Sequence, residues 1–466
     1  MFVKVSGDIT ISEPTREVVE WIEKNLTLTN PIYVNLQRQG REDTIRRKHV
    51  PDKIKSYSLR NGSYIVPFGC LYGLAPLLEG CQRETDFAPT HETEFRHLQC
   101  AISLFGYQEK AVGEMLRAKG GLLKAGCGSG KTYMGMEILR RLGLRFLWLC
   151  GKGDLLNQTL SNFNKLYPSL DIGTITEGEV KMGKDGTIST VQTLINVDYR
   201  LYENEFNVVV VDECHSVVSN PQTRAMYAKV LGRCKARYKY GLTATPARQD
   251  GLTRLIYANI GMSSRGTFRP TYEISDSDTQ SLESDYETLE LDTTPSFDYL
   301  EADGRINYNL LLSYLSDDKA RTAAICQRAR EAIKTEKRKV AILTGRVSHA
   351  EELDNTLKAM GVRSVLVTGE SKKRDRKEAL GNPNSWDAIV STIALFKEGL
   401  DIRSLDTILI ALPFKDPAGI QQSEGRAERP MEGKNKPLFI FAYDRNIEYC
   451  QSVERKMKRV VLRKRK

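Results

Sequence analysis

The stretch AGCGSGKT at residues 125–132 decides how this chain folds. It follows the apolar run GGLLKAG (120–126), which has the length of a strand, and opens KTYMGMEILRRLG (131–143), which has the spacing of a helix. Small residues between a strand and a helix let backbone N–H groups point at phosphate oxygens, and the helix N-terminus adds partial positive charge. The sequence therefore predicts a phosphate-binding loop at the edge of a sheet.

The residue types in this loop assign individual roles. Lys131 would reach the β- and γ-phosphates of a nucleotide, and the Thr132 hydroxyl would hold Mg²⁺. The general pattern has a glycine where this chain has Ala125, and the alternative is a Gly-rich turn without a ligand. The predicted phosphate cradle consists of Gly126, Gly128, Ser129 and Gly130.

A second signal is NVVVVDECH (207–215), in which Asp212 lies 81 residues after Lys131. An apolar strand that ends in Asp-Glu places two carboxylates at the carboxyl edge of the sheet, where open α/β sheets bind ligands. We expect Asp212 to bind Mg²⁺, and Glu213 to orient and deprotonate the attacking water. Without the phosphate-binding loop, the pair would read as a solvated turn.

Two further motifs extend the predicted site. In GLTATP (241–246), Thr243 lies 31 residues after Asp212. The two threonines of this motif can relay hydrogen bonds between the nucleotide edge and the neighbouring domain; in isolation the motif would be an ordinary turn at the end of a strand. In QQSEGRAERP (421–430), Arg426 and Arg429 lie three residues apart and share one face if the segment is helical. Guanidinium groups near a γ-phosphate stabilise the charge of phosphoryl transfer, so we expect ATP in a cleft between two domains. The alternative is a salt-bridged surface helix.

The rest of the chain alternates strand-like and helical stretches, which predicts parallel sheets covered on both faces. The predicted strands include LRFLWLC (144–150), RKVAILTG (338–345), RSVLVTG (363–369), WDAIVST (386–392) and DTILIAL (406–412), with a helix at 348–361. We therefore predict an α/β protein with two tandem parallel-sheet domains. The expected boundaries are an N-terminal module (1–95), a first domain (96–265), an acidic linker or insertion (266–305) and a second domain with a basic tail (306–466).

Charge favours a polyanionic partner. The chain has 69 Lys and Arg against 59 Asp and Glu, a net charge of +10, although residues 271–304 hold eleven acids and no Lys or Arg. Such a surplus favours nucleic acid through phosphate neutralisation, and solubility charge is the alternative. The acidic stretch reads as a solvated linker; the alternative is that it occupies a basic groove when nucleic acid is absent.

The N-terminal module contains a basic cluster with Tyr33 and Tyr57 nearby. Basic and aromatic residues together suit a module that grips DNA by phosphate contact and base stacking, and a solvated face of a packing domain is the alternative. The cluster consists of Arg38, Arg41, Arg46 and Arg47, followed by Lys48.

Nine irregularly spaced cysteines predict reduced thiols, and no apolar run has the length of a membrane span. The N-terminus also lacks the pattern of a secretory signal. We therefore expect a cytoplasmic protein.

The ordered motifs resemble those of the superfamily 2 helicases and translocases over roughly residues 100–445. The resemblance implies two RecA-like domains behind a small N-terminal α+β module. It also implies that Gln108 reads adenine and that Gly399, Asp401 and Gln422 face the nucleotide. The residues implied to contact nucleic acid are Lys152, Thr190 and Gln192 in the first domain and Arg346 and Thr392 in the second. The segment with Lys152 reads CGK where many relatives have a proline–threonine pair.

The Asp-Glu-Cys-His sequence and the run TATPARQDG (243–251) are similar to DNA-directed members, above all the excision-repair helicases and the phage branch-migration helicases. The resemblance implies an ATP- and Mg²⁺-dependent DNA helicase that unwinds or branch-migrates duplex, forked or four-way junction DNA in recombination, replication or repair, in the host cytoplasm if the chain is phage-encoded. It also implies a monomer, with other recombination or replication proteins as partners. The alternatives are an ATP-gated DNA-binding switch, the motor subunit of a larger complex, and RNA as the substrate.

Overall fold

A computed structural model describes the chain except for residues 127, 219, 247–249, 276–277, 279–283, 302–303, 370, 372–381, 383, 398–401, 403, 415–422, 424–426, 428–432 and 463–466. The described residues form two compact units. One contains residues 1–126 and 130–278, and the other contains residues 127–129 and 279–466. Within these described ranges, no helix has the length and apolar composition to span a membrane.

A small mixed sheet opens the first unit. The elements, in chain order, are β1 (Phe2–Val5), β2 (Asp8–Ser12), α1 (Arg16–Leu26), β3 (Thr27–Thr29), α2 (Pro31–Arg38), α3 (Glu42–Arg47), β4 (Lys53–Lys55), β5 (Ser58–Arg60), β6 (Ser63–Pro67), α4 (Leu71–Leu74) and β7 (Gln82–Thr85). The sheet has the order β5-β6-β2-β1-β7, and only the β1–β7 pair is parallel. Alternate residues of β1 and β2 are buried beneath α1, as a half-buried strand requires.

The first large sheet is almost entirely parallel. Its elements are α5 (Gly106–Arg117), β8 (Gly121–Lys124), α6 (Lys131–Leu142), β9 (Phe146–Cys150), α7 (Gly153–Leu166), β10 (Ile172–Thr176), β11 (Glu179–Lys181), β12 (Gly186–Thr190), α8 (Val191–Leu194), β13 (Val208–Asp212), α9 (Pro221–Arg233), β14 (Tyr238–Thr243), α10 (Thr253–Ile260) and β15 (Tyr272–Glu273). The order is β11-β10-β12-β9-β13-β14-β8-β15, and β11 alone runs antiparallel to its neighbour. The central strands β9 and β13 are buried along their whole length, which explains their continuous apolar sequence.

The second unit contains the other parallel sheet. Its elements are β16 (Asp285–Leu291), α11 (Tyr308–Asp317), α12 (Lys319–Lys334), β17 (Val340–Thr344), α13 (Val347–Ala359), β18 (Ser364–Val367), β19 (Ala388–Thr392), α14 (Ile393–Lys397), β20 (Thr407–Ile410), β21 (Leu438–Asp444) and α15 (Glu448–Val461). The order is β16-β21-β20-β17-β19-β18, with every pair parallel. The predicted α/β class, with two tandem RecA-like sheets behind a small N-terminal sheet, is confirmed.

The acidic stretch differs from the expected linker because part of it is strand. β15 pairs with β8 in the first unit, and β16 pairs with β21 in the second. The acids at β16 face basic partners within the second unit: Glu287 contacts Arg328 at 2.6 Å, and Asp285 contacts Lys436 at 2.6 Å. Paired in this way, acidic residues are compatible with an edge strand.

A buried lysine joins the N-terminal sheet to the first large sheet. Lys239, on β14, is 1% exposed, and its Nζ donates to the carbonyls of Gly7 at 2.6 Å and Leu231 at 2.8 Å. Gly7 connects β1 to β2, so this hydrogen bond crosses between the two sheets. Burial lowers the pKa of Lys239 to about 8, against the opposing effect of the Asp8 carboxylate. The charged Lys239 can therefore remain buried only because the two accepting carbonyls and the Asp8 carboxylate compensate the hydration that its ammonium group loses.

We predict that Lys239→Ala lowers the free energy of unfolding of the first unit by about 3 kcal/mol, because two buried carbonyls lose their donor and Asp8 loses its counter-charge. Urea unfolding measures the change. The control is Lys229→Ala on α9, where the side chain is exposed, and its expected effect is below about 0.5 kcal/mol. Equal effects of the two substitutions would contradict the assigned role of Lys239.

Candidate nucleotide and nucleic-acid site

The predicted phosphate-binding loop connects β8 to α6. Its start is fixed to the neighbouring strand, because the Ala125 N–H donates to the Thr243 carbonyl on β14 at 3.0 Å. Gly128 and Gly130 have φ values of 80° and 82°, a left-handed conformation that glycine adopts without steric cost. α6 begins directly after the loop, so the positive end of its dipole lies there. Gly126 and Ser129 complete the described loop, and Cys127 lies outside the described residues.

The Lys131 ammonium lies between the loop and a carboxylate. Its Nζ donates to the carbonyls of Ala125 and Gly126 at 3.3 Å each, and it is 3.9 Å from Oε1 of Glu213. The Lys131 side chain is only 10% exposed, so this attraction is screened less than at an open surface. The structure therefore brings together the lysine and the glutamate that the sequence predicts at one site. Thr132 follows Lys131 in the first turn of α6 and is half-buried.

Asp212 and Glu213 end β13 in two different environments. Asp212 is 5% exposed; its burial, and then the adjacent Glu213 carboxylate, raise the pKa of Asp212, although Lys131 opposes the shift. A buried carboxylate of this kind gains from a divalent cation, so Asp212, with Thr132, fits Mg²⁺. Among the described residues, no group of three or more His, Cys, Asp and Glu forms a metal cage.

The backbone at Glu213 is unusual for a residue with a side chain. Its φ is 46°, in the left-handed region, and its N–H donates to Oδ1 of Asp212 at 3.0 Å. This conformation costs a non-glycine residue roughly 1–2 kcal/mol. Such strain persists where the surrounding structure determines the conformation, and it is concentrated at functional sites.

His215 connects this turn to the GLTATP motif. Its Nδ1 is 3.1 Å from Oγ1 of Thr243 and 3.3 Å from Oε2 of Glu213. The imidazole therefore lies between the glutamate and the end of β14. A threonine relay near the nucleotide edge was expected from the sequence, and Thr243 is the member of that motif that contacts the carboxylate turn through His215.

Gln108 lies against the phosphate-binding loop. Its Oε1 accepts a hydrogen bond from the Phe105 N–H at 2.9 Å, at the start of α5. A Cβ atom placed on Gly130 would clash with the Gln108 amide, so this glycine permits the close approach. Phe105 and Tyr107 stack beside Gln108 with centroids 5.8 Å apart, and Phe105 remains 46% exposed. This aromatic pair was not predicted from the sequence, although the run LFGYQ contains both rings.

The three residues of the first domain that are predicted to contact nucleic acid lie at the carboxyl ends of adjacent β-strands. Lys152 is exposed at the start of α7, after β9, and Gln192 donates to the Gly151 carbonyl at 3.5 Å. Thr190 ends β12, where it pairs with Cys150 at the end of β9. Its hydroxyl accepts from the Thr193 N–H at 3.3 Å and so caps α8. The structure thus groups these residues at one sheet edge, as the motif order implies.

In the second unit, Arg346 and Thr392 have the same arrangement. Arg346 begins α13, directly after β17. Thr392 ends β19, where it pairs with Thr344 at the end of β17. The Arg346 guanidinium donates to the Asn309 carbonyl. Both residues therefore lie at the carboxyl edge of the second sheet. The predicted nucleotide-facing residues of this domain lie outside the described residues; they are Gly399, Asp401, Gln422, Arg426 and Arg429.

The N-terminal arginines lie on an insert between β3 and β4. This insert consists of α2 and α3, and neither helix buries any of its residues. Arg46 contacts Glu42 at 3.9 Å, a pair between two highly exposed side chains and hence a weak one. The insert therefore presents an exposed basic surface, formed by Arg38, Arg41, Arg46 and Arg47.

Family models match both large sheets of the chain. The model described as "Type III restriction enzyme, res subunit" matches residues 101–248, and the model described as "Helicase conserved C-terminal domain" matches residues 323–431. Together they span more than half of the chain. Two parallel sheets matched by these two models define the class: the chain belongs to the superfamily 2 helicases, and it is an ATP-dependent helicase or translocase.

Individual relatives are distant. A protein of Acanthamoeba polyphaga mimivirus, whose name assigns it provisionally to the ATP-dependent RNA helicases, is 23% identical over 422 residues, covering 85% of this chain and 76% of its own. The DNA 3'-5' translocase XPB2 of Sulfurisphaera tokodaii is 31% identical over 160 residues, covering 34% of this chain and 35% of its own. The crystal structure of the Pyrococcus furiosus Hef helicase domain matches with 16% sequence identity and a TM-score of 0.49. The match covers 75% of this chain and 97% of that domain.

We predict that Gly130→Ala raises the Kd for ATP at least roughly tenfold, because a methyl group on a left-handed residue would push Gln108 and the loop apart. Binding of a fluorescent ATP analogue measures the change. Gly178→Ala is the matched control: φ is 91° there too, but a Cβ atom would meet nothing within 4 Å. A Kd that responds equally to both substitutions would contradict the account of the loop.

Proposed function

We propose that the chain is an ATP-dependent DNA translocase or helicase that acts on duplex, forked or junction DNA. The observation that carries its ATPase chemistry is the 3.9 Å distance between Lys131 Nζ and Glu213 Oε1, beside the buried Asp212 carboxylate. The cation that binds the phosphates and the carboxylate that orients the attacking water must belong to one site, on either side of a single γ-phosphate.

In the proposed mechanism, Lys131 and the loop N–H groups bind the β- and γ-phosphates and hold the γ-phosphate for in-line attack. The Glu213 carboxylate orients a water molecule and accepts its proton as the water oxygen bonds to the γ-phosphorus. The bond from the γ-phosphorus to the β–γ bridging oxygen breaks at the same time, and ADP leaves with that oxygen. His215 fixes that carboxylate through its contact at 3.3 Å. Mg²⁺ held by Asp212 and Thr132 would neutralise phosphate charge. The sequence predicts that Arg426 and Arg429 stabilise the charge on the γ-phosphate, and both residues lie outside the described part of the chain.

Nucleic acid is the proposed substrate because the net charge is +10 and the insert of α2 and α3 presents exposed arginines. DNA is proposed over RNA because the relative with 31% identity is named a DNA translocase. The contacts proposed for Lys152, Thr190, Gln192, Arg346 and Thr392 are chiefly to phosphates, which predicts weak sequence preference and strong salt dependence. RNA is the second candidate, because the mimivirus relative that matches 85% of the chain is named as an RNA helicase.

We predict that Glu213→Gln lowers kcat for ATP hydrolysis at least about a hundredfold, because the amide cannot accept the proton from water. The Kd for ATP stays within about threefold, since the shape of the pocket is kept. Steady-state hydrolysis and equilibrium ATP binding measure the two quantities. Glu179→Gln, at an exposed glutamate on β11, is the control with unchanged kcat. Wild-type turnover in Glu213→Gln would contradict the proposed base.

We predict that the double variant Arg46→Ala/Arg47→Ala weakens binding to duplex DNA and lowers the slope of log K against log salt by about two, one unit for each lost phosphate contact. Fluorescence anisotropy over a salt series measures both. The double variant Arg16→Ala/Arg200→Ala removes two exposed arginines elsewhere on the first unit and is the matched control.

The same assays with RNA of identical sequence test the substrate class. The proposal requires that DNA forks or junctions stimulate ATP hydrolysis more strongly than RNA does. Stronger stimulation by RNA would assign the chain to the RNA helicases. In the salt series, an unchanged slope for Arg46→Ala/Arg47→Ala would show that the insert does not contact DNA.

A further inference from the structure

Gly241, the first residue of the GLTATP motif, faces the cysteine of the Asp-Glu-Cys-His turn. A Cβ atom at Gly241 would lie 2.9 Å from Sγ of Cys214 and 2.9 Å from Cγ2 of Ile260. Both distances are well inside van der Waals contact, so the thiol occupies the space that a side chain at position 241 would need. Cys214 is completely buried there.

Backbone conformation does not explain a glycine at this position. Gly241 lies within β14 and is not among the glycines with positive φ, so an ordinary residue would adopt its conformation. What position 241 requires is the absence of a side chain. The motif therefore begins with glycine because Cys214 packs against its backbone.

β14 contacts two consecutive residues that follow the strained glutamate. Cys214 packs on Gly241, and His215 Nδ1 lies 3.1 Å from Thr243 Oγ1. Positions 241 and 243 share one face of the strand. Since a left-handed glutamate persists only where its surroundings determine the backbone, these two contacts account for the φ of 46° at Glu213.

We propose that Gly241 and Cys214 are positioning residues for the Glu213 carboxylate: the thiol packed on the glycine fixes the left-handed turn that directs this carboxylate toward Lys131. The inference rests on the proposed function, in which Glu213 is the base. Cys214 is completely buried, so the cysteine acts through its shape and not as a nucleophile.

Gly241→Ala tests this inference. The added methyl group pushes the thiol and shifts the turn, and small displacements of a reacting group cost large factors in rate. We expect kcat for ATP hydrolysis to fall at least about tenfold, while the KM for ATP stays within about threefold. Thermal unfolding of each variant shows that the chain is folded.

Two double variants separate positioning from general packing. In Gly241→Ala/Cys214→Ala, the new methyl group fills the space left by the thiol, and kcat should exceed that of either single variant. In Gly241→Ala/Ile260→Ala, the space opens on the side of α10 and the methyl group still meets the thiol, so kcat should stay low. Equal recovery in both doubles, or wild-type kcat in Gly241→Ala, would overturn the inference.

Glu213→Gln, measured alongside, distinguishes failure of this inference from failure of the proposed function. If Glu213→Gln is inactive while Gly241→Ala turns over like wild type, only the positioning role is wrong. If Glu213→Gln retains wild-type turnover, Glu213 is not the base, and the positioning role of Gly241 and Cys214 is wrong as well.

Discussion

The carboxyl edge of the first large sheet depends on one electrostatic arrangement: a lysine held between loop carbonyls and the carboxylate pair of Asp212 and Glu213. Two neighbouring carboxylates, one of them buried, are unfavourable without a cation, and the Lys131 ammonium offsets part of that cost. The same arrangement suits a triphosphate with Mg²⁺, because phosphate charge attracts the lysine and a divalent cation stabilises the ionised aspartate.

Backbone constraints keep these groups together. The loop is fixed to β14 through Ala125 and Thr243, and the turn after β13 is fixed to the same strand through Cys214 and His215. β14 thus serves as the common support for both halves of the site, and Lys239 connects this strand in turn to the N-terminal sheet. The left-handed Glu213 is maintained because the two residues after it contact β14, which is buried over residues 239–243.

Much of this was predictable from the sequence, for physical reasons. Strands such as β9 and β13 are buried on both faces, so their sequences are continuously apolar. Lys131 and Glu213 were expected to meet because carboxyl ends of parallel strands share an edge. The φ of Glu213 was not predictable, since local propensity opposes it and β14 imposes it. β16 was missed because its acids are neutralised by partners distant in sequence, such as Lys436, 151 positions after Asp285.

The most direct test of the central claim is a structure of the protein with a non-hydrolysable ATP analogue and Mg²⁺. The account predicts that Lys131 Nζ lies within about 3.2 Å of a β- or γ-phosphate oxygen. It also predicts that Glu213 keeps its left-handed backbone, with its carboxylate one water molecule away from the γ-phosphorus. A triphosphate bound away from Lys131, or a Glu213 carboxylate turned away from the γ-phosphate, would contradict the account.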